Sequence, residues 1–571
     1  MNKLKSFAKF IFPVLFLLFL SGANFVNAAN IGDIINFNVD KDFDASARTQ
    51  MPATLVKSTN NLYFYIEKLW WDSQSRVKQL EILSKLESLS QEFDNKIYPT
   101  LTSAFGTEAR PGIDKDNKIY VLFEDMDSTE GGYFREADGY IKLQIPTSNE
   151  KEMLYLSLDY IDNPQLKIFF AHEFTHLITF NQKNILLNAE EDTWLNEARA
   201  EYAPTLLGYN NIYQGSYLEK RAQDFSEKPT GSLIDWQGTK YDYGKVNLFV
   251  HYLVDQYGMN ILKDSLRSSK VGIESITYAL QKNVIKENFS QIFTNWTIAT
   301  LVNDCNYGSK YCYTNKNLED FNLVPQINFL PLTGNTTLTM SDNAKSWSVN
   351  WYKIIGGGGG TLKFNFEGDF KVDFNVVYIT KNQSGAYMVK MLALDSLGRG
   401  EFDVSNFGKD VTSLFVIPYL KGDNGGISDS YFHSFFWSAS MTRQDSNTEE
   451  INKLLAIIDS LKKQIAAILA QKQVWPVIQN DYLCSQIVSN LSLGASGSEV
   501  SCLQTFLKNQ GGGIYPEGYV TGNFGNLTKS AVIKFQEKYA SDILTPFGIS
   551  NGTGYVGAQT RMKINQILNA R

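Results

Sequence analysis
The apolar residues of this 571-residue chain change their spacing several times, and a core can be built only from the period each stretch offers. From about 31 to 110 the pattern reads as helical, with Leu86, Leu89, Phe93 and Ile97 three or four apart on one face. KIYVLFE at 118–124 and MLYLSL at 153–158 are rich in strand formers, and YIKLQI at 140–145 alternates like a half-buried strand. Helix resumes at Asn163-Pro164, where Asn caps and Pro suits the first turn. Residues 190–300 read as mostly helical: TWLNEARAEYA is expected to stop at Pro204, and YDYGKVNLFVHYLVDQYG to end on Gly258. From 326 to 445 short alternating runs such as SWSVNWYKII, TLKFNFEG and SLFVIPYL predict an antiparallel β-sandwich, with Gly356 to Gly360 as a flexible hairpin tip. Ile451, Leu454, Ile458, Leu461, Ile465 and Ile468 then form a heptad seam over 446–474, either a self-associating coiled coil or a stiff spacer. The last unit, 480–571, is compact in itself, so the fold class is multidomain α+β.

Lys3, Lys5 and Lys9 precede an apolar run from Phe10 to Leu20 that closes on Asn27-Ala28-Ala29, so residues 1–29 read as a secretory signal peptide. The run is about half the ~20 residues a membrane-spanning helix needs, and no stable membrane span is expected once it is removed. A net charge of -7 offers no field to hold nucleic acid. In an exported chain the four cysteines are expected as two local disulfides, Cys305 with Cys312 and Cys484 with Cys502.

The chemistry concentrates in FFAHEFTHLITF, 169–180. On a helix, residues four apart differ by about 40° and ~6 Å, so His172 and His176 reach one cation, while Glu173 flanks it as a base for its water. Two imidazoles, one further protein ligand and one water make a catalytic zinc shell. Glu197 in TWLNEARAEYA supplies the further ligand 21 positions after His176, and Glu201 lies one turn on, as acceptor for the free N–H of His172 or His176. A lone histidine on an apolar face is usually core, but two at ligand spacing around an acid match a motif with known mechanics. Asp114, Asp116 and Asn117 in GIDKDNK are either a calcium loop or, more simply, a tight turn.

HEFTH followed by NEARAE resembles the gluzincin metallopeptidases, the superfamily of thermolysin and the zinc aminopeptidases. With LYF at 62–64, FDNKIYPTLTSAFG, GGYF at 131–134 and WLNEARAEY, the surrounding text is similar to the secreted bacterial hyicolysin-like peptidases over roughly residues 40 to 300. The resemblance implies a thermolysin-like domain over 30–325, a mixed sheet up to about 165 followed by a helical part. It also implies an acid that polarises the scissile carbonyl. Tyr241 holds the place of the aminopeptidases' tyrosine, with Tyr243 and His251 as rivals. The glycine that usually follows the family's glutamate is Ala198 here, which weighs against an aminopeptidase activity. GGYF at Gly131 to Phe134 is the expected edge for an extended substrate.

LSLGASGSEVSCLQTFLKNQ, YVTGNFGNLTKSAVIKFQEKY and GYVGAQTRMKINQIL resemble the peptidoglycan-binding domain of bacterial cell-wall enzymes, a small three-helix module with Val500, Leu503, Leu507, Val532 and Phe535 as core. Together these features lead to the expectation of a secreted zinc endopeptidase acting on protein and tethered to the cell wall. The alternatives are a hydrolase of peptidoglycan crosslinks and an inactive wall-bound adhesin.

Overall fold
The computed structural model describes residues 29–127, 131–422, 431–442, 454–455, 457–463, 486–511 and 513–569. The chain divides into two compact units, 1–446 and 447–571. Residues 1–28 of the signal segment, Cys484 and three of the six heptad residues, Ile451, Ile465 and Ile468, lie outside the described residues.

The first unit begins with a six-stranded sheet: β1 (Ile34–Asn38), β2 (Gln50–Ser58), β3 (Leu62–Glu67), β4 (Ile119–Glu124), β5 (Gly132–Tyr133) and β6 (Met153–Ser157), in the order β1-β2-β3-β4-β6-β5. The strands β3, β4 and β6 run parallel, while β5 pairs antiparallel with β6 at the edge. Alternation sorts the side chains. Tyr63, Tyr65, Tyr120 and Tyr155 go to one face with Phe37 and Met51, and Phe64, Ile66, Val121, Phe123 and Leu156 go to the other, against the helices.

Two expectations fail here, and a third point left open by the sequence resolves to a turn. The stretch 31–110 is not helical throughout, because its first part forms β1 to β3 and helix starts only with α1 (Lys68–Ser73), α2 (Arg76–Glu92) and α3 (Tyr98–Phe105). Strands buried on both faces read as continuous apolar runs, and LYFYIE carries no period-two signal to separate it from helix. YIKLQI at 140–145 forms turns with Ile141 and Leu143 exposed, since no neighbouring strand pairs with it among the described residues. The Asp114 loop is a turn whose carboxylates already have donors: Lys151 Nζ and the Asp116 amide on Asp114, and the Tyr63 hydroxyl on Asp116.

Helix α4 (Leu166–Phe180) is preceded by Asn163, whose side chain accepts from the Gln165 amide, and it buries all of its 15 residues except Lys167 and Phe169. At its end Lys183, fully buried, donates to the Ser268 carbonyl at 2.7 Å and lies 3.3 Å from Glu191. Glu191 also pairs with the buried Arg199 of α5 (Thr193–Leu206) at 2.8 Å, so one carboxylate ties the end of α4 to α5. Pro204 sits inside α5 and does not end it; the helix runs one half-turn further before Leu207 caps it. The helices α6 (Tyr217–Glu227), α7 (Lys240–Tyr257), α8 (Asn260–Leu266), α9 (Gly272–Lys282) and α10 (Phe289–Val302) complete this part, and α7 ends at Gly258, whose φ of +83° favours glycine.

The sandwich comprises β7 (Gln326–Leu330), β8 (Thr336–Ala344), β9 (Tyr352–Gly356), β10 (Gly360–Gly368), β11 (Phe374–Asn382), β12 (Tyr387–Leu392), β13 (Arg399–Phe407), β14 (Val411–Leu420) and β15 (His433–Thr442). Two layers, β8-β15-β10-β13 and β12-β11-β14-β9-β7, meet through rings such as Tyr352 on Trp437 at 5.3 Å. The glycine run is not a flexible hairpin tip: β9 and β10 are not partners, and the run crosses between layers. A Cβ on Gly356, at φ +91°, would lie 2.1 Å from the Leu330 carbonyl, so close backbone approach explains the glycine. The outer face of the second layer shares a core with α10, where Trp347 packs on Phe289 and Phe293 at 4.8 and 5.3 Å. Cys305 and Cys312 are disulfide-bonded, as expected, and no described cysteine is free.

The second unit has its own core, with Val500, Leu503, Leu507, Val532 and Phe535 fully buried among the helices Ser498–Lys508, Asn526–Lys538 and Ala558–Asn569. Gln504 and Gln536, 32 residues apart, make the same bonds. Each side-chain oxygen accepts from a Thr-Gly pair of amides, Thr521-Gly522 and Thr553-Gly554, and each amide nitrogen reaches a buried threonine, Thr528 or Thr560, at 3.0 Å. The unit is thus an internal duplication. The described part of the heptad segment is helical, with Leu454 and Leu461 exposed.

Candidate metal centre
Two elements build the site. Helix α4 presents His172, Glu173 and His176, and α5 presents Glu197 and Glu201. His172 Nε2 lies 3.1 Å and His176 Nε2 3.5 Å from Glu197 Oε2, and the ring centroids are 4.8 Å apart. Among the described residues, His172, His176 and Glu197 are the group of three such side chains whose ligand atoms converge, all within 4.8 Å of one another. This donor set, two imidazole nitrogens and a carboxylate oxygen, fits a zinc ion with one position left for water.

The electrostatics agree with that composition. Burial alone would raise the Glu197 carboxyl, but His176 and His172 hold it far below the usual carboxylate range. Burial would lower the His176 imidazole, yet Glu197 outweighs it and pushes it up to about 9. A divalent ion bound by the three would displace the proton that the raised His176 imidazole holds against Glu197.

Glu201 is fully buried, and its carboxylate faces His172 Nδ1 at 3.7 Å, beyond hydrogen-bond reach. Its bonds go elsewhere, to Arg221 through both oxygens at 2.8 and 2.9 Å, to the Tyr217 hydroxyl at 2.9 Å and to Asn247 Nδ2 at 2.9 Å. Burial is outweighed chiefly by Arg221, which keeps Glu201 ionised. Behind His176, the Asn196 side chain bonds the imidazole and adds to its upward shift. Tyr217, Arg221, Asn247 and Asn196 were not foreseen from sequence. A buried carboxylate demands donors, but the linear text does not say which helix brings them.

Tyr241 does not join the site; its ring lies under Lys228 and Lys240 at 5.6 and 5.1 Å. Tyr243 does, with its ring centroid 6.3 Å from that of His172. Burial, then Glu197, Glu173 and Glu201, push the Tyr243 phenol far above its ordinary value, so it stays a protonated donor. His251 packs away from the site, its Nδ1 on the Asn247 carbonyl and its Nε2 on Thr205 Oγ1, both at 2.8 Å; burial lowers it to about 4.

Glu173 is 5% exposed and lies against β5, where a Cβ on Gly132 would stand 3.2 Å from its Cγ. The GGYF segment thus runs beside the proposed base at the open edge of the sheet, with Gly131 against Phe169.

Residues 496–541 match the family described as "Putative peptidoglycan binding domain". The tail carries a peptidoglycan-binding domain. In the comparison with curated proteins nothing matches. Among solved structures, the pre-peptidase C-terminal domain of a collagenase from Bacillus anthracis is 14% identical, covering 21% of this chain and 98% of that one, with TM-score 0.15. PliG of Aeromonas hydrophila, a periplasmic inhibitor of g-type lysozyme, is 11% identical over 21% of this chain and 100% of its own, also with TM-score 0.15. The Yersinia pseudotuberculosis-derived mitogen is 9% identical over 20% and 92%, with TM-score 0.14. Likenesses of this size carry no argument about the site. Among the described residues no helix is long and apolar enough to cross a membrane.

Proposed function
We propose that the chain is an exported zinc-dependent endopeptidase of the gluzincin kind, held at the bacterial cell wall by its tail. The convergence of His172, His176 and Glu197 within 4.8 Å, with buried Glu173 alongside, carries this reading. A zinc ion bound by the three would supply a Lewis acid that brings the pKa of a water to about 7. Glu173 accepts the proton as water attacks the peptide carbonyl and returns it to the leaving amine. Tyr243, not Tyr241, donates to the oxygen on which charge develops. The open edge of β5 offers backbone groups to an extended substrate, as an added strand would find them. Glu201 orients His172 through charge across 3.7 Å and is itself fixed by Arg221.

The test is casein hydrolysis by wild type and Glu173→Gln, with zinc measured in both. Retained zinc with activity down by at least about 10²-fold is expected for loss of a general base; a wild type that binds no zinc would remove the reading. The peptidoglycan-binding match favours a second substrate, the peptide crosslinks of the wall itself. Zymography against sacculi decides between the two.

A further inference from the structure
The segment Ser232–Trp236, between α6 and α7, is gripped by the sandwich and touches the metal centre. Ser232 is the node. Its hydroxyl donates to the Ser346 carbonyl at 2.6 Å and accepts from the amides of Ile234 and Asp235 at 3.2 Å. Its carbonyl accepts from the buried Lys245 ammonium of α7 at 2.9 Å. Next to it, the Leu233 amide donates to the Trp347 carbonyl at 2.9 Å, and Lys345 pairs with Asp235 at 2.6 Å. These contacts fix Trp236, half-buried, edge-on against Tyr243 with centroids 4.8 Å apart. Arg221 covers the Tyr243 ring at 4.6 Å, so the tyrosine beside His172 is held from two directions.

We infer that the sandwich is a clasp for the metal centre, acting through Lys345, Ser346 and Trp347 on Ser232–Trp236, and that Trp236 is a positioning residue for Tyr243. The inference rests on the peptidase reading for its effect on turnover, and on packing alone for the clasp. A phenol that donates to a developing charge must be placed to within a fraction of an ångström, and a ring alone on a helix surface has rotamer freedom to lose that place. Contacts borrowed from a second layer of structure remove the freedom. The sandwich thereby acquires a task beyond spacing the tail from the hydrolase.

The full-length chain is tested with Trp236→Ala, Trp236→Phe, Lys345→Glu and the charge swap Lys345→Glu with Asp235→Lys. Trp236→Ala and Lys345→Glu are expected to lower kcat about tenfold with zinc content unchanged, while Trp236→Phe and the swap recover most of it. In a Tyr243→Phe background Trp236→Ala should have no further effect, a non-additivity that general loosening of the fold would not produce. Unchanged kcat in Lys345→Glu and Trp236→Ala, or additive losses, overturns the inference. Hydrogen exchange over 232–239 reads the clasp independently of turnover. Lys345→Glu must accelerate it and the swap must slow it again, and unchanged exchange also overturns the inference. If wild type hydrolyses nothing, or Tyr243→Phe is silent, the failure belongs to the peptidase reading, and exchange alone decides the clasp.

Discussion
Tyr241 and Tyr243 stand about 200° apart on α7, so only one of them can face the histidines. The family motif chooses the first by position; the structure brings the second beside His172, because α7 turns Asn247 and His251 toward α5 on the face that carries Tyr243, while Gly244 packs on α6. Tyr243→Phe is therefore expected to cut kcat by about 10²-fold and Tyr241→Phe to leave it unchanged, both read in a peptide-hydrolysis assay. The convergence of His172, His176 and Glu197 was legible, because two of them stand four apart on one helix and the third lies on the next. The choice between Tyr241 and Tyr243 stayed open, since it depends on the rotation of a third helix. Glu124 gives a second prediction at this scale. It is fully buried, and burial raises it to about 8. Between its unfolded value near 4.5 and about 8, the folded chain keeps a proton that the unfolded chain releases, so this contribution to stability falls as pH rises through that window. Glu124→Gln is expected to gain thermal stability over wild type from pH 5 to pH 9, measured as the difference in melting temperature at each pH.

At the level of elements, a cap, a helical face or a run of strand formers could be read, and KIYVLFE and MLYLSL became β4 and β6 although both their faces are buried. The cap at Gly258 and the face of Leu86, Leu89, Phe93 and Ile97 were readable. The strand LYFYIE, buried along its whole length, was not. YIKLQI alternated correctly yet had no partner strand, a long-range condition the local text does not hold. The short strand β5 has a sharper requirement. A Cβ on Gly132 would meet the Tyr155 carbonyl at 2.6 Å, Leu156 at 3.0 Å and Glu173 at 3.2 Å. Since backbone cannot swing aside as a side chain can, Gly132→Ala is expected to push the edge off the helix, lowering activity with zinc retained. Metal content together with kcat checks this.

Across the whole molecule, the two units have separate hydrophobic cores, and the second is where the family match lies. Cutting the chain after residue 446 is expected to abolish retention on purified sacculi and to leave casein hydrolysis intact. A co-sedimentation assay beside a casein assay measures both. The sandwich differs from the tail in this respect, because it shares its core with α10 and cannot be cut away without exposing Trp347 and Phe293. Helix α4, which carries His172 and His176, has almost no wet side. Natural variation there has nowhere to be absorbed, so descendants of this protein would find new preferences by drifting at the rim, in the short edge strand and the clasped segment, while the shaft that bears the histidines stays frozen.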